Sequence, residues 1–419
     1  MKIDPNLVKM MPPQFGEGLC VYGVPSEEVQ QWCRENNIKQ EVSGTFTNFI
    51  IPNGRLAEEL FHKPQPYKYL DGFSPNLNKH LHLGHLSNLV LAKAFQALGV
   101  AQETIAILGD TLAGQVGKEE ALTSFHGYCA RFHYPVNHLF FASKMAYDGP
   151  MEDGGLGSVD HTGKARDYTG TKVFDVHGEK VVGLKGDGST TYFYQDVALA
   201  SKLNASTLYL TGSEQIQHFA LLKQMFPSID HIGLGLVLLN GLKMSSRNED
   251  GTEKTEEEKK AIYAKEVLET LNGMFQDDLL SYNVLAGQIL RAEPKSTKNI
   301  NGKTLADPNN SVGLYVSYTT ARLKSAGIEP LCSDMFSSFP LGYAYMKSLN
   351  NKAPHALFGA LVDHCMKINS LYKTHHIAGN PTNKAMFSGM MMDLEFGLKL
   401  LGLFSVDRVI RQEDGQGDS

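Results

Sequence analysis

Two kinds of apolar pattern alternate between residues 66 and 260. Short β-like runs are separated by segments in which apolar residues recur every three or four positions, as on one face of a helix. This alternation predicts an α/β domain built on a doubly wound parallel sheet of the Rossmann-like type. The predicted strands are YKYLDGF (67–73), ETIAILGD (103–110), STLYLTG (206–212) and HIGLGLVLL (231–239), and the predicted helices include LSNLVLAKAFQALG (86–99) and EQIQHFALLKQMF (214–226).

The same patterns divide the chain into three predicted parts. Residues 1–65 form a small unit that ends in a short strand, a turn and a helix, before the proline-containing linker HKPQPY. Residues 66–260 hold the sheet, with an insertion at about 119–185 where the alternation stops and Gly, His and Asp are frequent. Residues 261–419 show helical spacing and predict an all-α domain, which ends in a disordered tail at RQEDGQGDS.

Composition excludes several classes of protein. With 419 residues, of which 42% are hydrophobic, the chain can build two or three domains, and its net charge of -6 gives no overall attraction to nucleic acid. A local basic groove stays possible, because binding depends on where the charges lie. No apolar run approaches the roughly 20 residues of a membrane span and the first residues lack a signal-peptide core, so we expect a cytoplasmic protein without membrane contact. The five cysteines are far apart, without a CxxC pair, which argues against disulfides and a thiolate zinc site.

Candidate chemistry begins directly after the first predicted strand, in SPNLNKHLHLGH (74–85). A turn that carries His82, Gly84 and His85 before a helix suits phosphate recognition, because free N–H groups at a helix N-terminus attract anions. Gly84 lets a flat ligand approach the backbone, and imidazoles can donate hydrogen bonds to phosphate oxygens. A metal site formed with His80 lacks an obvious carboxylate or thiolate partner, so we predict no metal site. Taken alone, the motif fits a structural turn equally well.

A second basic motif, GLKMSSRNEDG (241–251), follows the last predicted strand of the sheet. Its side chains Lys243 and Arg247 can neutralise a leaving pyrophosphate from a closing loop. Alone, such a sequence is more often a surface basic loop. Together with the histidine motif in the same α/β domain, it indicates nucleotide chemistry.

These two motifs together resemble the signature of class I aminoacyl-tRNA synthetases, and further segments are similar to arginyl-tRNA synthetases. In that family the histidine motif follows a Ser-Pro-Asn and a lysine, which are matched here by residues 74–76 and by Lys79. The other similar segments are SGTFTNFII, LGDTLAGQVGK (108–118), GDGSTTYFYQDVALA (186–200), TGSEQIQHF (211–219), KMSSR (243–247) and the anticodon-domain helix SVGLYVSYTTARLKSAG (311–327).

The resemblance implies that the protein activates arginine with ATP and Mg²⁺ and transfers it to tRNA, in particular tRNA-Arg. It implies three sets of residues. Those that act on the phosphates are Lys79, His82, His85, Lys243 and Arg247; those that bind ATP are His82, Gly84, His85, Met244, Ser245 and Ser246; those that bind the amino acid are Ser74, Asn76, Tyr192, Asp196, Gln215 and His218. Tyr192 and Asp196, four residues apart, are expected on one helix face. We expect a monomer.

The chain departs from the family pattern at three points. Ser87-Asn88 stand where Arg-Ser is usual, the N-terminal domain is short, and a second pocket carboxylate has no clear match. That acid is expected near FFASKMAYDGPMED, where Lys144 takes its place and Asp148 or Glu152 can substitute. Two alternative functions therefore stay open: a synthetase-like ligase that passes the activated amino acid to a small amine or peptide, and a non-catalytic paralogue that binds RNA or senses an amino acid.

Overall fold

A computed structural model gives the three-dimensional structure. It describes residues 1–11, 18–111, 116–159, 165–167, 169–243, 264–301, 305, 307, 310–331 and 333–409. The segment 244–250, the charged segment up to 263 and the C-terminal tail therefore lie outside the described residues.

The N-terminal unit is an antiparallel sheet covered by one helix. The strands are β1 (Lys9–Met10), β2 (Leu19–Tyr22), β3 (Lys39–Ser43) and β4 (Phe46–Ile50), in the order β1-β2-β4-β3, and the helices are α1 (Glu27–Asn36) and the short α2 (Ala57–Leu60). Ser26 begins α1, because its hydroxyl accepts a hydrogen bond from the Val29 N–H at 3.4 Å. The buried Trp32 packs edge-on against Phe49, with ring centroids 6.0 Å apart, and joins the helix to the sheet.

The first half of the central domain alternates strands and helices as predicted. Its elements are β5 (Tyr67–Asp71), α3 (Leu83–Leu98), β6 (Ala101–Leu108), α4 (Lys118–Arg131) and β7 (His138–Phe141). Helix α3 ends at Gly99, which has φ of 83°, a left-handed conformation that glycine adopts without strain. Helix α4 leads into β7, which pairs in parallel with β6. The alternation of strands and helices therefore continues to Phe141, and the break predicted at about 119 lies later in the chain.

The segment after β7 forms antiparallel pairs outside the parallel sheet. Its strands are β8 (Glu152–Asp153), β9 (Leu156–Val159), β10 (Ala165–Asp167), β11 (Lys172–Val176) and β12 (Glu179–Leu184). Strands β12, β11 and β8 make a three-stranded sheet, and β9 pairs with β10. The chain then returns to the parallel sheet.

The second half of the domain completes a five-stranded parallel sheet. Helix α5 (Tyr192–Leu203), β13 (Thr207–Gly212), α6 (Ile216–Met225) and β14 (Ile229–Leu234) follow in order, and the strand order is β14-β13-β5-β6-β7. The chain builds outward from β5 in both directions, so the predicted doubly wound α/β fold is confirmed. In such a sheet ligands bind beyond the carboxyl ends of the strands, where the direction of winding reverses, here between β5 and β13.

The run 231–239, predicted as one strand, is divided at Gly235. β14 ends before it, and β15 (Val237–Leu239) starts a separate small sheet with β16 (Leu242–Lys243) and the distant β17 (Lys298–Ile300). A Cβ atom at Gly235 would lie 2.1 Å from the carbonyl oxygen of Ser296. The two backbone segments can therefore approach this closely only because residue 235 is glycine. This contact ties the end of the parallel sheet to the helical region.

The rest of the described chain is helical, as predicted. The helices are α7 (Ala264–Phe275), α8 (Asp278–Leu290), α9 (Val312–Ser325), α10 (Phe339–Asn351), α11 (Pro354–Thr374) and α12 (Pro381–Leu400). Helix α3 contacts α8 and α11, so the sheet domain and the helical region share one continuous apolar core. Among the described residues, none of the helices has the length and apolar character that crossing a bilayer requires.

Lys93 of α3 is buried where these two regions meet. Only 6% of its surface is exposed, and its ammonium group has no hydrogen-bond acceptor among the described residues. The nitrogen instead lies 3.8 Å from the ring centroid of Phe404 and 4.6 Å from that of Tyr282. Burial lowers the pKa of this amine to about 7.

We expect the pKa of Lys93 to make stability depend on pH. An unfolded lysine titrates near 10.4, so between pH 7 and 10 the unfolded chain binds more protons than the folded chain, and the free energy of unfolding rises by up to about 2–4 kcal/mol. Urea unfolding at pH 7.0 and 9.5 measures this. In Lys93→Met most of the rise should disappear, and an unchanged rise would contradict the assignment. Exposed Lys373→Met is the matched control.

Candidate active site

A cavity of about 610 Å³ opens at the carboxyl ends of β5 and β13, where the sheet reverses its winding. Nine residues predicted from the sequence line it together, although they come from three separate segments of the chain. They are Ser74, Asn76, His82, Gly84, His85, Tyr192, Asp196, Gln215 and His218. Asn88, at one of the positions that depart from the family pattern, also lines this cavity.

The two histidines form a fixed turn at the start of α3. His82 is the N-cap residue, and its Nδ1 accepts the N–H of Gly84 at 3.1 Å. His85 Nδ1 accepts the N–H of His82, also at 3.1 Å, and the two imidazole rings lie 3.9 Å apart. Because both Nδ1 atoms are acceptors, this network assigns the proton of each neutral ring to Nε2.

Both imidazoles are uncharged near neutral pH. Burial lowers the pKa of His82 to about 4 and that of His85 well below its ordinary value, and the positive charge of Lys79 contributes in both cases. Neutral rings whose Nε2–H groups are not used by the turn are hydrogen-bond donors for an anionic ligand. In both histidines, Nδ1 therefore stabilises the turn, and the Nε2–H group stays available to bind a ligand.

A glycine allows the Ser74–Asn76 turn to approach the neighbouring strand. A Cβ atom on Gly109, at the end of β6, would lie 1.8 Å from Oδ1 of Asn76, so any other residue would displace that amide. The Leu77 N–H donates to the carbonyl of Gly109 at 2.7 Å, which closes the turn. Asn76 is thereby held at the edge of the cavity.

Three carboxylates reach the cavity from different elements. Asp196, on α5, accepts a hydrogen bond from Nε2 of His218 at 2.6 Å. Asp71, the last residue of β5, is buried and accepts from the hydroxyl of Ser74. Glu214, in the turn before α6, is the third. The site therefore has enough negative charge to hold a cationic ligand.

Burial sets the charge state of Asp71. It raises the pKa of this carboxyl to about 7, and the nearby charge of Asp196 contributes, whereas the Ser74 hydrogen bond acts in the opposite direction. The hydroxyl of Tyr209, also buried, has no hydrogen-bond partner among the described residues, and Asp196 and Asp71 add to the burial that raises its pKa. Asp71 therefore changes charge near neutral pH while Tyr209 stays protonated.

Sequence reasoning missed Asp71 and Glu214. It placed a second acid near residues 140–153, but neither Asp148 nor Glu152 lines the cavity, and Glu152 pairs with Lys180. Lys144 lies over the Phe141 ring, 5.4 Å from its centroid. The sequence signal for Asp71 is its place as a carboxylate at the carboxyl end of the first strand of the sheet, the edge at which ligands bind.

The remaining predicted residues do not line the cavity or have side chains outside the described residues. Lys79 is exposed and does not line the cavity, although its charge reaches both histidines. Lys243 ends β16, but its side chain lies outside the described residues, as do Met244, Ser245, Ser246 and Arg247. Within the described ranges, no three metal-ligating side chains form a group that could hold a metal ion.

Comparisons with known proteins agree with this architecture, although no family model matches the chain. The arginine–tRNA ligase of Leuconostoc mesenteroides is 26% identical over 190 residues, which cover 40% of this chain and 34% of that protein. That of Oenococcus oeni is 28% identical over 160 residues, covering 34% and 28%. The chain thus spans about a third of the length of the curated relatives it matches.

Solved structures extend the similarity to the whole fold. The arginyl-tRNA synthetase of Thermus thermophilus superposes with a TM-score of 0.63 at 16% identity, over 96% of both chains. That of Plasmodium falciparum gives 0.63 at 13% identity, over 96% of this chain and 94% of that one. The fold is the one that these two arginyl-tRNA synthetases share. The chain is also similar in sequence to arginine–tRNA ligases, so the resemblance found in its sequence is confirmed.

Proposed function

We propose that the protein is a shortened arginyl-tRNA synthetase, which activates arginine with ATP and transfers it to tRNA-Arg. The observation that carries this proposal is the convergence of nine predicted residues on one cavity at the reversal point of the sheet. We propose further that it acts as a monomer in the cytoplasm. The names of its curated relatives support the same activity.

The carboxylates and Tyr192 suit the guanidinium of arginine. A guanidinium is a planar cation with five N–H donors, and a carboxylate can accept two of them in parallel. Asp196 and Asp71 supply such acceptors from neighbouring elements, and Tyr192 adds a phenol one helical turn before Asp196. Gln215 and Asn76 supply amide groups for the other polar groups of an amino acid.

The histidine turn suits the phosphates of ATP. The Nε2–H groups of His82 and His85 can donate to the α-phosphate, and the start of α3 adds partial positive charge. Lys79 lies beside this turn, and Lys243 and Arg247 are proposed to act on the pyrophosphate. Mg²⁺ would accompany ATP through its phosphate oxygens, as this ion usually keeps few protein ligands.

The reaction needs placement more than covalent chemistry. The arginine carboxylate attacks the α-phosphate in line, the adenylate forms and pyrophosphate leaves. A hydroxyl of the tRNA ribose then attacks the acyl carbon, gives up its proton and releases AMP. The residues of this chain orient both substrates and offer donors where negative charge develops.

The test is ATP–pyrophosphate exchange with each of the twenty amino acids, with and without total tRNA. The proposal expects exchange with arginine alone and arginine attached to tRNA. Exchange with arginine but no transfer to tRNA would favour the ligase that serves a small amine or peptide. Absence of exchange under every condition would favour the non-catalytic paralogue.

The raised pKa of Asp71 predicts how arginine binding depends on pH. Its raised pKa of about 7 means that the carboxyl is mostly neutral at pH 6 and mostly ionised at pH 8. A cation binds the ionised form, so KM for arginine should fall about tenfold from pH 6 to pH 8. In Asp71→Asn, KM should be higher and nearly independent of pH. A wild-type KM that rises with pH would contradict this assignment.

A further inference from the structure

A second cavity, of about 500 Å³, lies where the edge strand β14 meets the helical region. It is bounded by the end of α10, the start of α11 and the segment after α8. Leu208 of β13 lines it, whereas the next residue, Tyr209, lines the candidate active site. The two cavities have no lining residue in common, so they are separate recesses of the same domain.

Three lysines bring positive charge to this second cavity. Lys295, Lys347 and Lys352 line it, and in the described ranges none of them has a carboxylate within ion-pair distance. Lys347 and Lys352 lie over the rings of Tyr343 and Tyr67, at 5.7 and 5.2 Å from the centroids. Their ammonium groups are thus held at the wall without a direct ion pair among the described residues, although the charge of Lys352 acts on Asp230 from a longer distance.

The two carboxylates in the wall do not balance these lysines. Asp230 already pairs with Lys223 and accepts a hydrogen bond from Tyr67. Glu293 is mostly exposed, and its carboxylate lies 3.9 Å from Nε2 of His355. A positively charged recess results, in which like charges repel one another unless an anion binds.

Two histidines also line the cavity, and burial is the main reason that their pKa values are lowered. For His231, His218 and Lys295 act in the same direction as burial; for His355, Glu293 raises the pKa and Lys298 lowers it. Nδ1 of His355 is buried without a hydrogen-bond partner among the described residues. His355 lies in the first turn of α11, a 21-residue helix whose N-terminal end adds partial positive charge.

We propose that this cavity binds a small phosphate-bearing anion, at a site separate from the proposed substrates. Three ammonium groups match the two or more negative charges of a phosphate or diphosphate better than the single charge of a carboxylate. The volume falls within the range of about 300–1,000 Å³ that small-molecule sites have. The recessed position favours a small molecule over a long phosphodiester backbone. This inference does not depend on the proposed function.

Calorimetric titration of the full chain with inorganic pyrophosphate at low ionic strength tests the site. The variant K347M/K352M keeps the aliphatic stems that cover the two tyrosine rings but removes two charges. It should lose one equivalent of bound pyrophosphate per chain, or bind it at least tenfold more weakly. The matched control is Lys373→Met, at the other end of α11, about 28 Å from its first residue.

Three results would decide the proposal. Loss of one equivalent in K347M/K352M, with Lys373→Met unchanged and both variants folded by circular dichroism, supports it. Repetition with AMP and with inorganic phosphate then shows whether the anion is a nucleotide or free phosphate. Equal stoichiometry and affinity in all three proteins would overturn it. A loss of tRNA affinity in K347M/K352M without any loss of pyrophosphate would also overturn it, in favour of an RNA-binding surface.

Discussion

Replacing Asp196 with asparagine should lower kcat/KM for arginine by about 30- to 5,000-fold. The change keeps the shape of the side chain and removes the charge that lies 2.6 Å from His218 and faces the cavity. Loss of one partner of a buried, hydrogen-bonded charge pair costs about 2–5 kcal/mol, and each 1.36 kcal/mol is a factor of ten in rate. KM for ATP should change little, because we propose that Asp196 contacts arginine and that the histidine turn contacts ATP.

Two further variants separate charge from orientation. His218→Gln keeps the charge of Asp196 but removes the ring that positions it, so we expect a smaller loss, mainly in KM. Asp153→Asn, an exposed aspartate of β8, should leave exchange unchanged. The measurement is steady-state ATP–pyrophosphate exchange at varied arginine. An Asp196→Asn enzyme with the wild-type KM would show that this carboxylate does not hold the substrate.

Local features of the site could be predicted from sequence because their causes are local. The start of α3 follows from the spacing of His82, Gly84 and His85 before an apolar face, and the placement of Tyr192 and Asp196 together follows from helical spacing. The parallel, doubly wound type of the sheet follows from the alternation of strands and helices, although its strand order does not. Each of these inferences depends on residues that lie close together in the sequence, within one helix or strand or in two consecutive ones.

Features that depend on contacts between distant segments could not be predicted in the same way. Asp71 and Asp196 influence each other because β13 pairs with β5, although α3, β6, α4, β7 and an insertion separate them in the chain. The break at Gly235 arises from the approach of Ser296, from beyond the next two helices. Helix α4 and strand β7, which extend the alternation to Phe141, were not predicted from the sequence. The helical spacing of Ala121, Phe125 and Cys129 is obscured by the frequent Gly, His and Asp around it.

His82 will show the largest effect on the phosphate side of the site, and its two functions can be separated. As N-cap of α3, His82 accepts the Gly84 N–H through Nδ1, while Nε2–H is available to a phosphate. Asparagine also caps helices well, whereas alanine does not. His82→Asn therefore preserves the turn and removes the donor, and His82→Ala removes both.

Both variants should lose about 10²–10³-fold in the rate of ATP–pyrophosphate exchange, the usual effect of removing one donor to a developing negative charge. Only His82→Ala should also lose about 0.5–2 kcal/mol of unfolding free energy, measured in urea. His80→Asn, at an exposed position that does not line the cavity, is the control and should retain exchange. If His82→Asn exchanged at the wild-type rate while His82→Ala did not, the histidine would act on catalysis only through the helix cap. Equal losses in exchange, with unequal losses in stability, would instead assign the activity to Nε2 itself.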